Sequence, residues 1–356
     1  MTLDLRADLV DLTRALCDIP SESGDEKAIA DAVEAALSQY AHLEVLRDGD
    51  AVVARTNLGR SSRVVVAGHL DTVPIADNLP TRVVDGEVWG RGTVDMKAGV
   101  AVQLALAAAV DAPTRDVTWV FYDHEEVAAE LNGLARLVRT HPEWIACDFA
   151  VLGEPSNGGI EGGCNGTLRA EVRLAGVAAH SARAWVGVNA IHAAGEVLRR
   201  LEAYEPRTVT VDGLDYRESL NAVLISGGTA ANVIPDACVV TVNYRFAPSQ
   251  SPEQAADHVR ELFEGYDVVI TDSAPGARPG LDAPAAQEFA AAVLGITGGA
   301  PAPKYGWTDV ARFSALGIPA VNFGPGDPLL AHKVDERCPV DQIYTAYRAQ
   351  HAWLTA

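Results

Sequence analysis

Three largely apolar runs, each stopping on a histidine or a carboxylate, limit the fold of this chain more than any other feature. Val64-Val65-Val66-Ala67 leads into Gly68-His69-Leu70-Asp71. Val117-Thr118-Trp119-Val120-Phe121-Tyr122 leads into Asp123-His124-Glu125-Glu126, and Phe149-Ala150-Val151-Leu152 into Gly153-Glu154-Pro155. Strands this continuously apolar are buried on both faces, as in a parallel sheet covered by helices. In open α/β sheets the chemistry gathers where such strands end. The three endings then share one sheet edge, and that edge is rich in potential ligands.

The rest of the chain fits around that sheet. Leu3, Leu5, Leu9, Leu12 and Leu16 predict a helix over 3–17, and Ser23 with Glu26 has capping-box form ahead of a second helix. Strands are expected near 43–47 and 51–56, a hairpin over 82–89 turning at Asp85-Gly86, and helices over 96–110 and 131–139. After Gly162-Gly163 the texture changes to half-exposed alternation. Strands at 167–174, 220–226, 238–246 and 268–271, with helices over 189–201 and 252–263, follow the ferredoxin-like order β-α-β-β-α-β. Beyond the Pro- and Gly-rich stretch 273–280 the α/β texture resumes. The expected class is α/β, with a mixed, mostly parallel sheet flanked by helices, formed by residues 1–164 and 278–356. An α+β domain at 165–277 is inserted into it.

Potential ligands fall at element ends: His69, Asp95, Glu125, Glu126, Glu154 and the distant His332. Asp71, two residues after His69, can hold the ring N–H that a metal-bound imidazole leaves over. Nitrogen and carboxylate donors without a thiolate suit zinc, cobalt or manganese in catalytic use. So many carboxylates at one edge would repel, and two divalent cations would offset them. Asp95 would lie between the ions, about 3.5–4 Å apart as in other two-metal sites. An N-cap is the other reading of Asp95, which immediately precedes a helix. Glu125 and Glu126 are adjacent and point apart on an extended strand end, so one can bind metal while the other serves as general base. Gly90-Arg91-Gly92-Thr93-Val94-Asp95 is no dinucleotide fingerprint, because Asp95 would set a carboxylate against the phosphate.

Gly68-His69-Leu70-Asp71-Thr72-Val73-Pro74, Gly90-Arg91-Gly92-Thr93-Val94-Asp95-Met96-Lys97, Glu125-Glu126, Gly153-Glu154-Pro155 and His332 together resemble the landmarks of the dinuclear-zinc aminoacylase and carboxypeptidase G family. The likeness runs along essentially the whole chain, in the family's order. It implies a zinc-peptidase fold whose inserted domain serves as lid and dimerisation domain, in a homodimer. It implies two Zn2+ ions, with Co2+ as a substitute. Glu126 and His332 would hold one ion, His69 and Glu154 the other, and Asp95 would bridge them. Asp71 would orient His69, and Glu125 would be the general base. His124, directly before the pair, departs from many relatives and reads as a neighbour rather than a ligand. In the inserted domain, His180 of Ala179-His180-Ser181-Ala182-Arg183 matches a histidine that reaches the substrate carbonyl from the partner subunit. Asn232 and Arg245 resemble substrate-gripping residues, and Arg183 is a further candidate. Glu161 to Arg169, Gly306 to Phe313 and Gly324 to Pro328 resemble, more narrowly, a desuccinylating branch of the family. Other N-acyl amino acid deacylases and dipeptidases stay open, and a metal-free binding module is the remaining alternative.

Charge narrows the partners. Lys+Arg 28 against Asp+Glu 48 gives a formal net charge of −20, which argues against nucleic acid or an anionic membrane. An anionic small-molecule substrate then needs arginines placed locally. The five cysteines show no Cys-x-x-Cys spacing, the N-terminal stretch is too acidic for a signal peptide, and no apolar run is long enough for a membrane span. A cytoplasmic protein is expected.

Overall fold

The computed structural model describes residues 3–356 and divides into two compact units. The first comprises the chain up to Gly162 together with Pro279–Ala302 and Thr308–Ala356. Its sheet has eight strands in the order Glu44–Asp48, Ala51–Arg55, Asp116–Tyr122, Arg63–His69, Phe149–Leu152, Ala320–Asn322, Glu161–Gly162 and Ala302–Pro303. The four strands from Asp116–Tyr122 to Ala320–Asn322 are parallel, and antiparallel strands flank them. The expected α/β class, with a mixed sheet built on a parallel centre, is what the chain adopts.

Alternation along the central strands explains why their sequences are apolar throughout. Val64, Val66, Val117, Trp119, Phe121, Phe149 and Val151 pack into one core with the Lys97–Ala109 helix, which is buried along nearly all of its length. Val65, Ala67, Val120, Ala150 and Leu152 point the other way and are equally buried. On that side Val310–Ala315 packs on Phe149–Leu152 and Ala320–Asn322. Gly99 lets the Lys97–Ala109 helix ride directly on the end of a strand. A Cβ there would stand 2.2 Å from the Gly153 carbonyl oxygen. The helix start carrying Asp95 and the strand end carrying Glu154 are thereby drawn together.

Several local expectations are corrected. The first helix runs Leu9–Cys17, begun by Asp8, whose side chain accepts from the Val10 N–H; Leu3 and Leu5 are buried without being helical. The Ser23–Glu26 capping box does not form. The Lys27–Leu37 helix has Glu26 as N-cap with no side-chain cap bond, and Glu26 instead accepts the Gly24 N–H while Ser23 turns to Asp71. The N-cap of Lys97–Ala109 is Met96, so Asp95 is not spent as a cap.

The second unit comprises Gly163–Arg278 and also Pro303–Trp307, a short segment that the sequence placed with the first. Its four antiparallel strands lie in the order Ser219–Gly227, Ala237–Phe246, Gly166–Ala175, Asp267–Ala274, with Ala190–Glu202 and Pro252–Leu262 packed on the sheet. This is the ferredoxin-like arrangement. Leu168, Ala170, Val172, Val240, Val242 and Tyr244 point into the core under the helices. Thr167, Arg169, Asn243 and Arg245 alternate with them and occupy the opposite, helix-free face.

Candidate metal centre

His69, Asp95 and Glu126 each offer a donor atom within 4.8 Å of the others. His69 Nε2 lies 3.0 Å from Asp95 Oδ1. His332 Nε2 lies 3.3 Å from Asp95 Oδ2 and 3.0 Å from Glu126 Oε1. One carboxylate thus faces an imidazole with each of its oxygens. Glu154 ends the strand beside His69: Ala67 pairs with Leu152, and each ligand candidate follows two residues later. Glu125 shares the electrostatic surroundings of His69, Glu154 and Glu126.

Asp71 is the buried hinge of this arrangement. His69 Nδ1 donates to the Asp71 backbone oxygen at 3.0 Å and lies 3.4 Å from its carboxylate. That bond turns Nε2 toward Asp95. The carboxylate accepts the Glu125 N–H at 3.0 Å, the Glu126 N–H at 3.1 Å and the Ser23 hydroxyl at 2.6 Å. Asp71 therefore fixes the Glu125–Glu126 turn as well as the histidine. Ser21 donates to the Leu70 carbonyl and buried Lys97 to the Ile19 carbonyl, so the segment carrying Ser23 is held beneath the strand end. His124 donates its N–H to Glu26, and its ring lies against Asp123 and Glu26. It stands as a neighbour of the centre.

The charges lean on one another. Burial disfavours the His69 cation, but Asp71 and Asp95 outweigh it and raise the imidazole well above its ordinary value. Burial would raise Asp71, yet His69, Ser23 and the Glu125 N–H bring it down to about 2. Asp95 is lowered against its own burial by His332 and His69, and its partnership with Asp95 and Glu126 raises His332 to about 10. Burial pushes Glu125 well above the usual carboxylate range, with Glu154, Asp309 and Glu126 adding to it and His69 opposing. Glu126 rises through burial and the charge of Asp95. The donor set fits divalent ions. Two ligands on a tetrahedral zinc stand about 3.4 Å apart, given bonds of about 2.1 Å. The imidazole–carboxylate distances of 3.0 to 3.3 Å are already close to that.

The four candidates in the second unit form two groups. The Ala179–His180 and Val233–Ile234 strands pair, and the Ser181 N–H donates to the Asn232 carbonyl, so His180 and Asn232 are neighbours. His180 Nδ1 accepts the Ala182 N–H, and Arg183 is exposed in the short turn that follows. Arg245 lies elsewhere. It is eight residues along the strand that starts at Ala237, about 26 Å at the usual rise per residue. Its Nε donates to Asn243 Oδ1, and Arg169, facing Asn243 across the ladder, is its diagonal neighbour. Burial first, then the charge of Arg169, lowers the Arg245 pKa. Sequence reasoning missed Arg169, Ser23 and Glu336. Arg169 closes a stretch read only for its family likeness, Ser23 was read as part of a helix cap, and nothing local to Glu336 marks its distant partners.

Comparison with known proteins follows the same lines. The family model described as peptidase family M20/M25/M40 matches residues 65–356. A provisionally named succinyl-diaminopimelate desuccinylase of Mycobacterium tuberculosis is 56% identical over 97% of this chain and 97% of its own. The succinyl-diaminopimelate desuccinylase of Corynebacterium glutamicum is 50% identical over 96% of this chain and 94% of its own. A tripeptidase structure from Staphylococcus aureus, 21% identical, superposes with a TM-score of 0.77 over 99% of this chain and 98% of its own, a likeness of fold. By the extent of these matches the chain belongs to peptidase family M20/M25/M40 and is a metal-dependent amide hydrolase.

Proposed function

We propose that the chain hydrolyses N-succinyl-LL-2,6-diaminopimelate to succinate and LL-2,6-diaminopimelate, a step toward lysine and cell-wall peptide. The observation that carries this reading is Asp95 set between His69 and His332, one oxygen to each, with Glu125 alongside. The high identity to the two desuccinylases supports the choice of substrate. In this reading His69 and Glu154 would hold one ion and Glu126 and His332 the other, with Asp95 available to both. Two zinc ions, with cobalt able to replace them, would supply acidification of water and polarisation of the amide carbonyl.

The chain's own residues then do the following. Glu125 takes a proton from the attacking water as its oxygen bonds to the succinyl carbonyl carbon. Glu125 gives that proton to the amine nitrogen as the C–N bond breaks. Asp71 keeps His69 aimed and holds the backbone N–H of Glu125, so the base does not drift. His180 donates a hydrogen bond to the developing oxyanion, and Asn232, Arg183 and Arg245 grip the substrate. Arg169 beside Arg245 suits a ligand with more than one carboxylate.

The two groups in the second unit sit at different ends of its sheet, which favours their meeting one substrate from two subunits. A homodimer through this unit is part of the reading. The Ser219–Gly227 strand is a sheet edge with Val223, Leu224 and Ile225 exposed, and Ile191 and Leu198 are exposed on the Ala190–Glu202 helix. Such an edge invites a second copy. No helix among the described residues is long and apolar enough to cross a membrane. A cytoplasmic site of action follows from the proposed substrate.

The test is succinate release from N-succinyl-LL-2,6-diaminopimelate, with and without a chelator, beside N-acetylornithine. Chelation should abolish release and zinc restore it. Faster turnover of N-acetylornithine would replace this substrate with an acetylated one. Arg245→Ala should raise KM roughly 10- to 100-fold with a smaller change in kcat, the loss of a charge-assisted bond of about 1.5–3 kcal/mol. An unchanged KM would remove Arg245 from the grip.

A further inference from the structure

Glu336 lies four residues beyond His332 and is 1% exposed, although it sits in a short polar loop. Its Oε1 accepts the Val94 N–H at 2.9 Å and the Asp95 N–H at 3.2 Å. Its Oε2 accepts Arg91 Nη1 at 2.6 Å, and its backbone oxygen accepts the Gly90 N–H at 3.0 Å. Arg91 is 3% exposed and also reaches outward. Its Nη1 donates to the Lys333 carbonyl at 3.2 Å, and its Nε to the Pro74 carbonyl at 3.1 Å. Asn78 adds a bond from Nδ2 to the Val334 carbonyl at 3.1 Å. These bonds knot together the three loops that follow His69, precede Asp95 and carry His332.

A buried ion pair is weak evidence of stabilisation by itself, because desolvation offsets much of its attraction. What distinguishes this one is where its hydrogen bonds go. The carboxylate grips the backbone N–H of Asp95 itself and that of the residue before it. The guanidinium grips the carbonyl next to His332. We propose that Glu336 and Arg91 are positioning residues that set the spacing between Asp95 and His332, and so the affinity and geometry of the ion these two share. The inference rests on the metal reading above. It adds to the ligand set a pair that touches no ion and no substrate.

Glu336→Gln separates positioning from mere support. The amide keeps the volume but presents NH2 either to the Arg91 guanidinium or to the Val94 and Asp95 N–H groups, donor against donor. Arg91→Lys keeps the charge but cannot span the Pro74 and Lys333 carbonyls together. Zinc affinity should be measured by competition with a chromophoric chelator, the cobalt form by its visible absorption, and the metal-free proteins by thermal melting. Both variants should lose roughly 10- to 100-fold in affinity for one ion, as outer partners of ligands typically do, with an altered cobalt spectrum. Wild-type affinity and spectrum in both variants, even with a lower melting temperature, would reduce the pair to structural support and overturn the inference alone. A wild-type protein that takes up no ion would remove the metal reading and this inference together.

Discussion

Glu125→Gln is expected to bind metal as the wild type does and to lose roughly 10²- to 10⁴-fold in kcat, the usual weight of a positioned general base. Glu125 is adjacent to the candidate ligand Glu126 but has its own place. Its N–H is held by Asp71 Oδ1, while the Glu126 N–H goes to Oδ2. The group at position 125 can therefore change without freeing the ligand. Its carboxyl is already tuned toward proton exchange, since burial and the nearby carboxylates raise its proton affinity well above that of an ordinary glutamate. Glutamine fills the same space and cannot accept the water's proton. Metal content per chain and steady-state rates on the same preparation decide the matter. A variant with full metal and near wild-type kcat would pass the base role to another group.

The fold was largely legible because the strands announce themselves. Val64–Ala67 and Phe149–Leu152 carry no polar residue, and only a strand buried on both faces pays no penalty for that. The ligand candidates were legible for a related reason: ionisable groups that end buried strands have few roles besides chemistry. What escaped is what depends on distant pairing. Ser23 and Glu26 satisfy a local rule for a helix start, yet Asp71, 48 residues away, takes the serine hydroxyl. Glu336 and Arg91 lie 245 positions apart in sequence, and no periodicity links them. Arg169 and Arg245 become neighbours only through the antiparallel register of their strands. The Asp71 carboxylate shows the same limit in another form. It serves His69 together with its own backbone oxygen, at 3.4 Å against 3.0 Å from Nδ1, and it also binds the turn that carries the base.

Metal uptake should be steeply pH-dependent up to about pH 10, the value to which His332 is raised. In the metal-free protein Asp95 lies between two imidazoles whose proton affinities are raised, His332 to about 10 and His69 well above its ordinary value. The His332 ring therefore stays protonated over most of that range. An ion can take a ring nitrogen only by displacing its proton, so metal binding releases protons. Lowering the pH strengthens the competitor and weakens binding. With one proton released from His332, the binding constant of the ion it holds should fall by about 10-fold for each pH unit lowered. The stability of the metal-free fold runs the other way. A histidine raised on folding contributes fully below its unfolded value and loses that contribution as pH rises toward about 10 for His332. Calorimetry in two buffers of different ionisation enthalpy counts the protons directly. Asp95→Asn should bind ions weakly at every pH and release fewer protons, because the carboxylate that raises the proton affinity of both imidazoles is gone. Affinity independent of pH, with no proton release in the wild type, would mean that the two histidines are not where the ions bind.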